Sequence, residues 1–371
     1  MEIITVQTPK ELKAFIEFPY QLYKNDPVWV APLRSEQAAQ FVPEKNPMLA
    51  HCTYTLFLAK EGQRVVGRIS AFIDHLAIEH WQQPIGLFGS FECIEDEKVG
   101  LALLQAAADW LVSQGMRSMR GPWSFASQEW GLVVDGFRPD PVILAPYNPP
   151  YYNDYLLKFG LQKVKDLKVY VLDATQGYQI PERYLTLTDV IQRRYGIKVR
   201  PVDMKHLEDD VVTITQLANT SISDNWGFYP VTDAEARAMA RDLKDVINPK
   251  AALIAEDRDG KPIGFALTLP DINLMLKGLN GRMSPRLIFR MLFMLRHVHQ
   301  YRMWALGVIP EYQSLAVDTL LYRATYEALY TPNTRMEVNY VLEDNDRMNN
   351  ALYKLGVTDL RRYRVYEMPF A

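Results

Sequence analysis

Apolar side chains recur along this chain in two rhythms, the alternation of strands and the three-to-four spacing of helices, and the order of elements they spell is run through twice. In the first half, residues 11–23 carry a helical pattern, and the Pro-rich stretch 26–47 reads as loop with short helical turns. Runs 55–60 and 64–74 flank Glu61-Gly62-Gln63 and predict a hairpin, and 85–93 predicts a third strand. Val99, Leu101, Leu103, Leu104, Ala107, Trp110 and Leu111 fall at helical spacing over 98–114, and Gly115 closes that helix. A strand at 116–121, a Gly/Pro-rich loop, a helix over 151–159 ended by Gly160 and a strand at 168–172 complete the half.

The second half repeats this order. A strand at 198–202 precedes helices at 206–220 and 233–247, the latter stopped by Pro249. Runs 251–256 and 262–269 flank Arg258-Asp259-Gly260, a second hairpin. After an insertion come a strand at 302–306, a turn and helix, a strand at 335–342, a helix at 347–355 closed by Gly356, and a last strand at 361–368. The expected fold is α/β, two tandem domains each with a mixed, mostly antiparallel sheet flanked by helices. The expected boundary separates 1–195 from 196–371, with 181–195 as a connecting helix.

Composition narrows the function. A chain of 371 residues exceeds a single core, and 48% hydrophobic content fills two. The formal charge of −3 offers no footprint for nucleic acid. Two cysteines, Cys52 and Cys93, are too few for a disulfide framework or a structural zinc site, and the start Met-Glu-Ile-Ile-Thr has no signal-peptide pattern, so a cytoplasmic location is expected. No window supplies an apolar membrane span. His297 and His299 lie two apart, which on a helix keeps them off one metal. No metal is expected. The absence of a Gly-x-Ser-x-Gly elbow, zinc spacing or Walker loop removes hydrolase, metalloenzyme and nucleoside-triphosphatase readings.

The strand-turn-helix at 302–329 carries the most chemistry. Gly307-Val308-Ile309-Pro310-Glu311-Tyr312-Gln313-Ser314-Leu315-Ala316-Val317-Asp318 opens a helix whose first N–H groups lack internal partners and sit at the positive end of its dipole. Such a terminus receives an anionic ligand such as a pyrophosphate. Gln313, Ala316 and Asp318 resemble the acyl-CoA binding turn of the GNAT N-acyltransferase superfamily, Gln or Arg, two residues, Gly, one residue, Gly or Ala, with an acid in the last place. That acid aids the helix and opposes a bound pyrophosphate. Asn148 to Lys158-Phe159-Gly160 and Asn345 to Lys354-Leu355-Gly356 resemble the late helix of GNAT domains, once per half. Gly121-Pro122-Trp123-Ser124-Phe125, Asp135-Gly136-Phe137, 146–152 and Leu342-Glu343-Asp344-Asn345 look like a bacterial family of long two-domain GNAT-like proteins, some relatives of which are linked to N-acylation of sphingoid bases.

The resemblance implies an acyl donor, acetyl-CoA, a longer acyl-CoA or an acyl carrier protein, held in the second half by Val308, Ile309, Gln313, Ser314, Leu315, Ala316 and Val317, with Asn345 and Asn349 on the pantetheine arm. It implies a backbone oxyanion donor around 306–309. The acid position of the family falls on Leu352, with Tyr353 one residue, or about 100° of helix, further on; Tyr353 is read as acid or as core packing. Glu337, on the strand beside the turn, is the first candidate base and Glu311 the second, each with the alternative of a solvated surface carboxylate. Asn345 has the alternative of a helix N-cap.

The acceptor, a small or lipid-like amine, is expected at the loop holding Asp224, Trp226, Phe228 and Tyr229, which reads equally as a turn pinned by a buried aromatic. A second candidate lining is Ser127, Glu129, Asn148 and Tyr151 in the long loops of the first half. There the strand-helix turn carries Glu92, Glu95, Asp96 and Glu97, which suit a capped helix and repel a phosphate. In the insertion, Ser284-Pro285 opens a helix dense in large apolar side chains and cations; it is read as packed on its domain, with peripheral membrane contact through 284–302 or an acyl channel as the alternatives. The leading reading is an N-acyltransferase; the rival is a non-catalytic binding protein on the same fold.

Overall fold

The computed structural model describes residues 1–124 and 130–370. These residues form two compact units, Met1–Leu167 with Asn273–Phe289 and Arg361–Ala371, and Lys168–Ile272 with Arg290–Leu360. Each is taken in turn.

The first unit opens with strand β1 (Glu2–Thr5) and helix α1 (Pro9–Leu22). Thr8 and Glu11 close α1 with a reciprocal capping box, which fixes where it starts. Helix α2 (Arg34–Ala39) is the one α-helical turn in the Pro-rich stretch. The hairpin β2 (Cys52–Glu61) and β3 (Arg64–Asp74) turns at Gly62, in the left-handed region at φ 60°, as its sequence demands. Helix α3 (His75–Trp81) follows, capped by Asp74, and then β4 (Ile85–Cys93), α4 (Glu97–Ser113), β5 (Ser118–Gly121), β6 (Leu132–Asp135) and α5 (Tyr151–Phe159). β1, α3 and β6, at 4, 7 and 4 residues, are too short to stand out as patterns. β7 (Gln162–Asp173) begins at the end of this unit and is longer than the strand at 168–172 that its apolar run predicts.

In the second unit, α6 (Glu182–Tyr195) and β8 (Lys198–Pro201) lead into α7 (Leu207–Ser221), α8 (Asp233–Leu243), β9 (Ala252–Glu256) and β10 (Pro262–Pro270). α8 ends four residues before the pattern does, because its capping box sets the start and nothing caps the far turn. α9 (Asn273–Leu276) and α10 (Pro285–Met294) make up the insertion, of which α9 and the first half of α10 belong to the first unit. Then come β11 (Gln300–Val308), α11 (Val317–Leu329), β12 (Arg335–Leu342), α12 (Asp346–Leu355) and β13 (Thr358–Pro369), the last of which lies from Arg361 onward in the first unit.

The strand order of the first unit is β1-β2-β3-β4-β5-β13, with β6 also on β13; that of the second is β7-β12-β11-β10-β9-β8. Each contains a parallel pair, β4 with β5 and β11 with β12, beside antiparallel pairs such as β2 with β3 and β9 with β10. A parallel pair needs a crossover helix, and α4 and α11 supply it. α4 packs Val99, Leu103, Leu104, Ala107 and Leu111 into the core of the first unit. In the second, α11 and α12 pack Tyr322, Leu329, Leu352 and Leu355 against Met303, Met336 and Val338.

Leu103 is fully buried at the centre of the first core. Leu103→Ala is expected to cost about 2–5 kcal/mol, seen as a lower urea midpoint at an unchanged slope.

Candidate functional site

The site begins where a sheet comes apart. β11 pairs with β12 only from Gln300 opposite Arg335 to Met303 opposite Val338, although β11 runs on to Val308 and β12 to Leu342. A bulge at Trp304 sets Ala305 opposite Leu267 and Met303 opposite Thr268, while β10 remains paired with β11 as far as Val308. Beyond Met303, β11 therefore has one edge held by β10 and one facing a wedge-shaped gap. The Ile309 N–H is taken by the Ile263 carbonyl (3.0 Å), so it is not the oxyanion donor among residues 306–309. Strand alternation then turns the N–H groups of Leu306 and Val308 into the gap. Gln313 enters from the turn to donate its Nε2 to the Val308 carbonyl (3.0 Å).

The turn is more wound than its sequence predicts. A 3-10 helix over Pro310–Leu315 and a left-handed Ala316 (φ 55°) separate β11 from α11, which no side-chain N-cap closes. Ser314 is exposed, Leu315 and Ala316 are half-buried and Val317 is buried. Arg347, at the start of α12, grips Gln313 twice, Nη1 on its Oε1 (2.7 Å) and Nη2 on its main-chain carbonyl. Arg347 escaped the sequence reading, yet a signal was there: a cation in the first turn of a helix opposes the dipole, and such a placement asks for a reason. Asp318 lies half-buried at the α11 terminus. Burial pushes its carboxyl up, against the pull of the Thr319 N–H and of Arg347. This carboxyl stands where the helix would hold an external anion.

On the sheet face that the bulge assigns to Arg302, three polar side chains are sunk in the protein: Arg302, Glu337 and Asn339. Arg302 donates its Nε to Asn339 Oδ1 and lies over the Tyr340 ring. Arg335 Nη1 donates to Glu337 Oε1 (3.0 Å). Glu337 is 0% exposed, which removes the surface alternative; its Oε2 and Asn339 Nδ2 are buried without a hydrogen-bond partner. Leaving such atoms unpaired costs about 1–3 kcal/mol each, a cost that functional sites bear and cores avoid. Glu311 is exposed.

Other sequence candidates serve structure. Asn345 is the N-cap of α12, accepting the Met348 N–H (3.0 Å). Asn349 is saturated: it accepts the Tyr170 hydroxyl (2.6 Å) and donates to the Leu342 and Glu343 carbonyls. Tyr353 is 46% exposed, with its hydroxyl on Asp359 (3.1 Å) and its ring edge-on to Tyr170, contacts that do not include β11. Leu352, in the acid position, is buried.

In the α7–α8 loop Phe228 and Tyr229 are buried, Trp226 is half-buried and Asp224 exposed. Asn219 ties the loop down by bonding both main-chain groups of Val231 (2.9 and 3.0 Å). The loop adjoins β11, because a Cβ on Gly307 would lie 2.1 Å from Ser221 Oγ at the end of α7. In the first unit, Asn148 spends its side chain on Val133 and Pro149, and Tyr151 donates to the Cys93 carbonyl (3.1 Å). Ser127 and Glu129 lie outside the described residues. Among the described residues one group has metal-ligand chemistry, His51, Cys52 and Asp74, and there His51 Nδ1 already pairs with the Asp74 carboxylate (2.9 Å).

No family model matches the sequence. Full-length similarity decides the matter: the chain is 34% identical to the bacterial ceramide synthase of Caulobacter vibrioides, over 99% of this chain and 97% of that one. It belongs to that protein's family. Protein YghO of Escherichia coli is 33% identical over 98% of this chain and 94% of its own. Among solved structures, a tandem GNAT protein from the clavulanic acid biosynthesis pathway superposes with a TM-score of 0.61 over 99% of this chain and 98% of that one, at 12% identity, a likeness of fold. The family is one of tandem GNAT-fold N-acyltransferases, and this chain is an enzyme of that class, so the non-catalytic alternative falls.

A raised carboxyl makes its stabilising contribution below its unfolded value and loses it as pH climbs through the folded one. Asp318→Asn removes that loss. The variant is expected to melt with the parent in acid and above it at neutral pH, a gap that paired melting curves at the two pH values will show.

Proposed function

We propose that the second unit binds an acyl thioester, of CoA or of an acyl carrier protein, and transfers its acyl group to the primary amine of a long-chain amino alcohol of the sphingoid-base type. The observation that carries this reading is the gap between β11 and β12, an unpaired strand edge roofed by an uncapped helix terminus. The donor's phosphates lie against 313–317, with Arg347 as their cation, and its thioester lies along β11. The name of the Caulobacter relative supports the acceptor class.

In this reading the amine reaches the thioester from the α7 side, past the loop at 224–229. Glu337 Oε2 takes the proton the amine gives up, since it alone of the buried carboxylate's oxygens is unengaged. The amine nitrogen bonds to the carbonyl carbon, the carbonyl oxygen gathers charge at the Leu306 or Val308 N–H, and the carbon–sulfur bond breaks to release a thiolate that takes its proton from solvent as Glu337 returns its own there. The first unit holds no donor. Its corresponding strand, β4, has its Cys93 N–H and carbonyl engaged by the hydroxyls of Tyr152 and Tyr151, and its Phe88 carbonyl by the Trp123 N–H.

The insertion fits a lipid substrate. Leu287 anchors α10, whereas Met283, Ile288, Phe289 (61%) and Phe293 (59%) are exposed beside Arg286 and Arg290. This departs from the packed helix expected from the sequence. Such a face rests on an anionic membrane surface, where a long-chain amine is found. No helix of the described residues is long and apolar enough to cross a membrane.

Calorimetry with acetyl-CoA, palmitoyl-CoA and free CoA tests the donor site. Saturable binding, weakened about tenfold or more in a Gln313→Ala, Ser314→Glu variant, is expected; no binding of any of them, together with no transfer from an acyl carrier protein, overturns the reading. Glu337→Gln is expected to keep donor affinity and lose about 100-fold or more in kcat at neutral pH.

A further inference from the structure

Three side chains with metal-ligand chemistry meet at the open end of a hairpin in the first unit. β2 and β3 pair from Glu61 opposite Arg64 at the turn to Cys52 opposite Asp74 at the far end. Residues directly opposite in an antiparallel pair point to the same face, so register alone sets the Cys52 thiol beside the Asp74 carboxylate. His51 joins them from a 3-10 turn, Pro47–His51, that leads into β2. Because it precedes the strand it escapes the strand's alternation, and its Nδ1 stands 4.0 Å from Cys52 Sγ and 2.9 Å from Asp74 Oδ1. Nitrogen, sulfur and carboxylate oxygen thus lie within 4.8 Å of one another.

Structural duties do not account for the carboxylate. Asp74 Oδ1 caps α3 by accepting the Leu76 and Ala77 N–H groups (3.0 and 3.2 Å), and it also pairs with His51. One oxygen does all of this. Asp74 is 1% exposed, and its Oδ2 is buried with no hydrogen-bond partner. A cap alone is served as well by Ser, Thr or Asn, none of which buries a charge. A carboxylate oxygen hidden from water and left over from every internal bond is suited to a cation.

We infer that His51 Nδ1, Cys52 Sγ and the Asp74 carboxylate bind a Zn²⁺ ion, with water in the fourth place. Imidazole, thiolate and carboxylate are zinc's ligand types, whereas magnesium and calcium take oxygen alone. At bond lengths of about 2.0–2.3 Å, tetrahedral ligand atoms stand about 3.3–3.8 Å apart, a spacing that small side-chain rotations reach from this arrangement. The ion replaces the hydrogen bond between His51 and Asp74, and the thiol proton leaves to solvent. Thiolate and carboxylate together then balance the dication, so the site is neutral against its buried wall. His51 and Cys52 are half-buried, which leaves a way in for the ion and room for the water. The bound ion ties the 47–51 turn and the start of α3 to the hairpin and so stabilises the first unit. Nothing in this depends on the donor site. Cysteine spacing does not reveal it, because strand register brings together His51 and Asp74, 23 positions apart.

The test adds Co²⁺ and then Zn²⁺ to the full-length protein after a chelator has stripped it. Cobalt reports its ligands by colour. A single equivalent is expected to raise a thiolate-to-metal charge-transfer band together with the visible bands of a four-coordinate ion, and an equivalent of Zn²⁺ is expected to bleach both. Cys52→Ser is expected to lose the charge-transfer band, while Cys93→Ala, which removes the other thiol, keeps it. Asp74→Asn retains the helix cap and is expected to weaken Zn²⁺ about tenfold or more in competition with a chromophoric chelator. Zn²⁺ is expected to raise the melting temperature of the parent and not that of Cys52→Ser, whose melting with the stripped parent shows that it is folded. A parent without the cobalt bands, or a charge-transfer band that survives in Cys52→Ser, overturns the site. So does a Zn²⁺ affinity that Asp74→Asn leaves unchanged.

Discussion

Everything in the second unit that bears on chemistry follows from one failure of pairing, the parting of β11 and β12 after Met303 and Val338. A parallel pair inside a sheet has every reason to continue, because each backbone group left without a partner away from water costs as much as a lost hydrogen bond. Here a bulge at Trp304 re-aims β11 along β10 and away from β12. The wedge that results has an unpaired strand edge on one side and a buried carboxylate and amide on one face. One irregular residue thus opens a strand edge beside a buried carboxylate.

The first unit shows what the same topology looks like when it is satisfied from within. β4 and β5 also pair in parallel over a short register, Ile85 to Leu87 with Ser118 to Arg120. There the chain itself supplies the missing partners. The Trp123 N–H meets the Phe88 carbonyl, and the backbone comes so close that a Cβ on Gly89 would stand 2.0 Å from the Trp123 oxygen. The Tyr151 and Tyr152 hydroxyls finish the strand at Cys93, whose thiol burial and the nearby carboxylates of Glu92 and Asp96 push up. Asp96 caps α4 through the Lys98 N–H, as its sequence promised, where a ligand's anion would sit in an open site. A few hydroxyls aimed at one strand edge are enough to satisfy it.

Much of this architecture was legible from residue pattern, and the reasons for the exceptions are physical. β4, α5 and β12 have the limits their patterns predict, since each is bounded by a turn signal. The Gly160 and Gly356 helix ends appear at φ 109° and 82°, angles that favour glycine. Side-chain roles were harder to read. Asn345, Asn349 and Tyr353 sit on the right helix, but hydrogen bonds to Met348, Tyr170 and Asp359 claim them, and no periodicity records such long-range claims. Pattern leaves Glu337 open between a buried base and a surface carboxylate, because β12 buries both of its faces, Met336 and Val338 on one and Glu337 and Asn339 on the other.

Arg347 and Asp318 show how the turn between β11 and α11 is held. Each is placed against a common preference, a cation at the positive end of α12 and a half-buried acid that nothing fully neutralises on α11. Together they make sense. The guanidinium, spent on Gln313, stiffens the turn and lends it positive charge, while the carboxyl covers the first N–H groups of α11 when no ligand does. On the donor reading proposed above, an arriving phosphate would replace that internal anion with one of fuller charge, and its binding would restore the stability that the half-buried carboxyl costs the free protein.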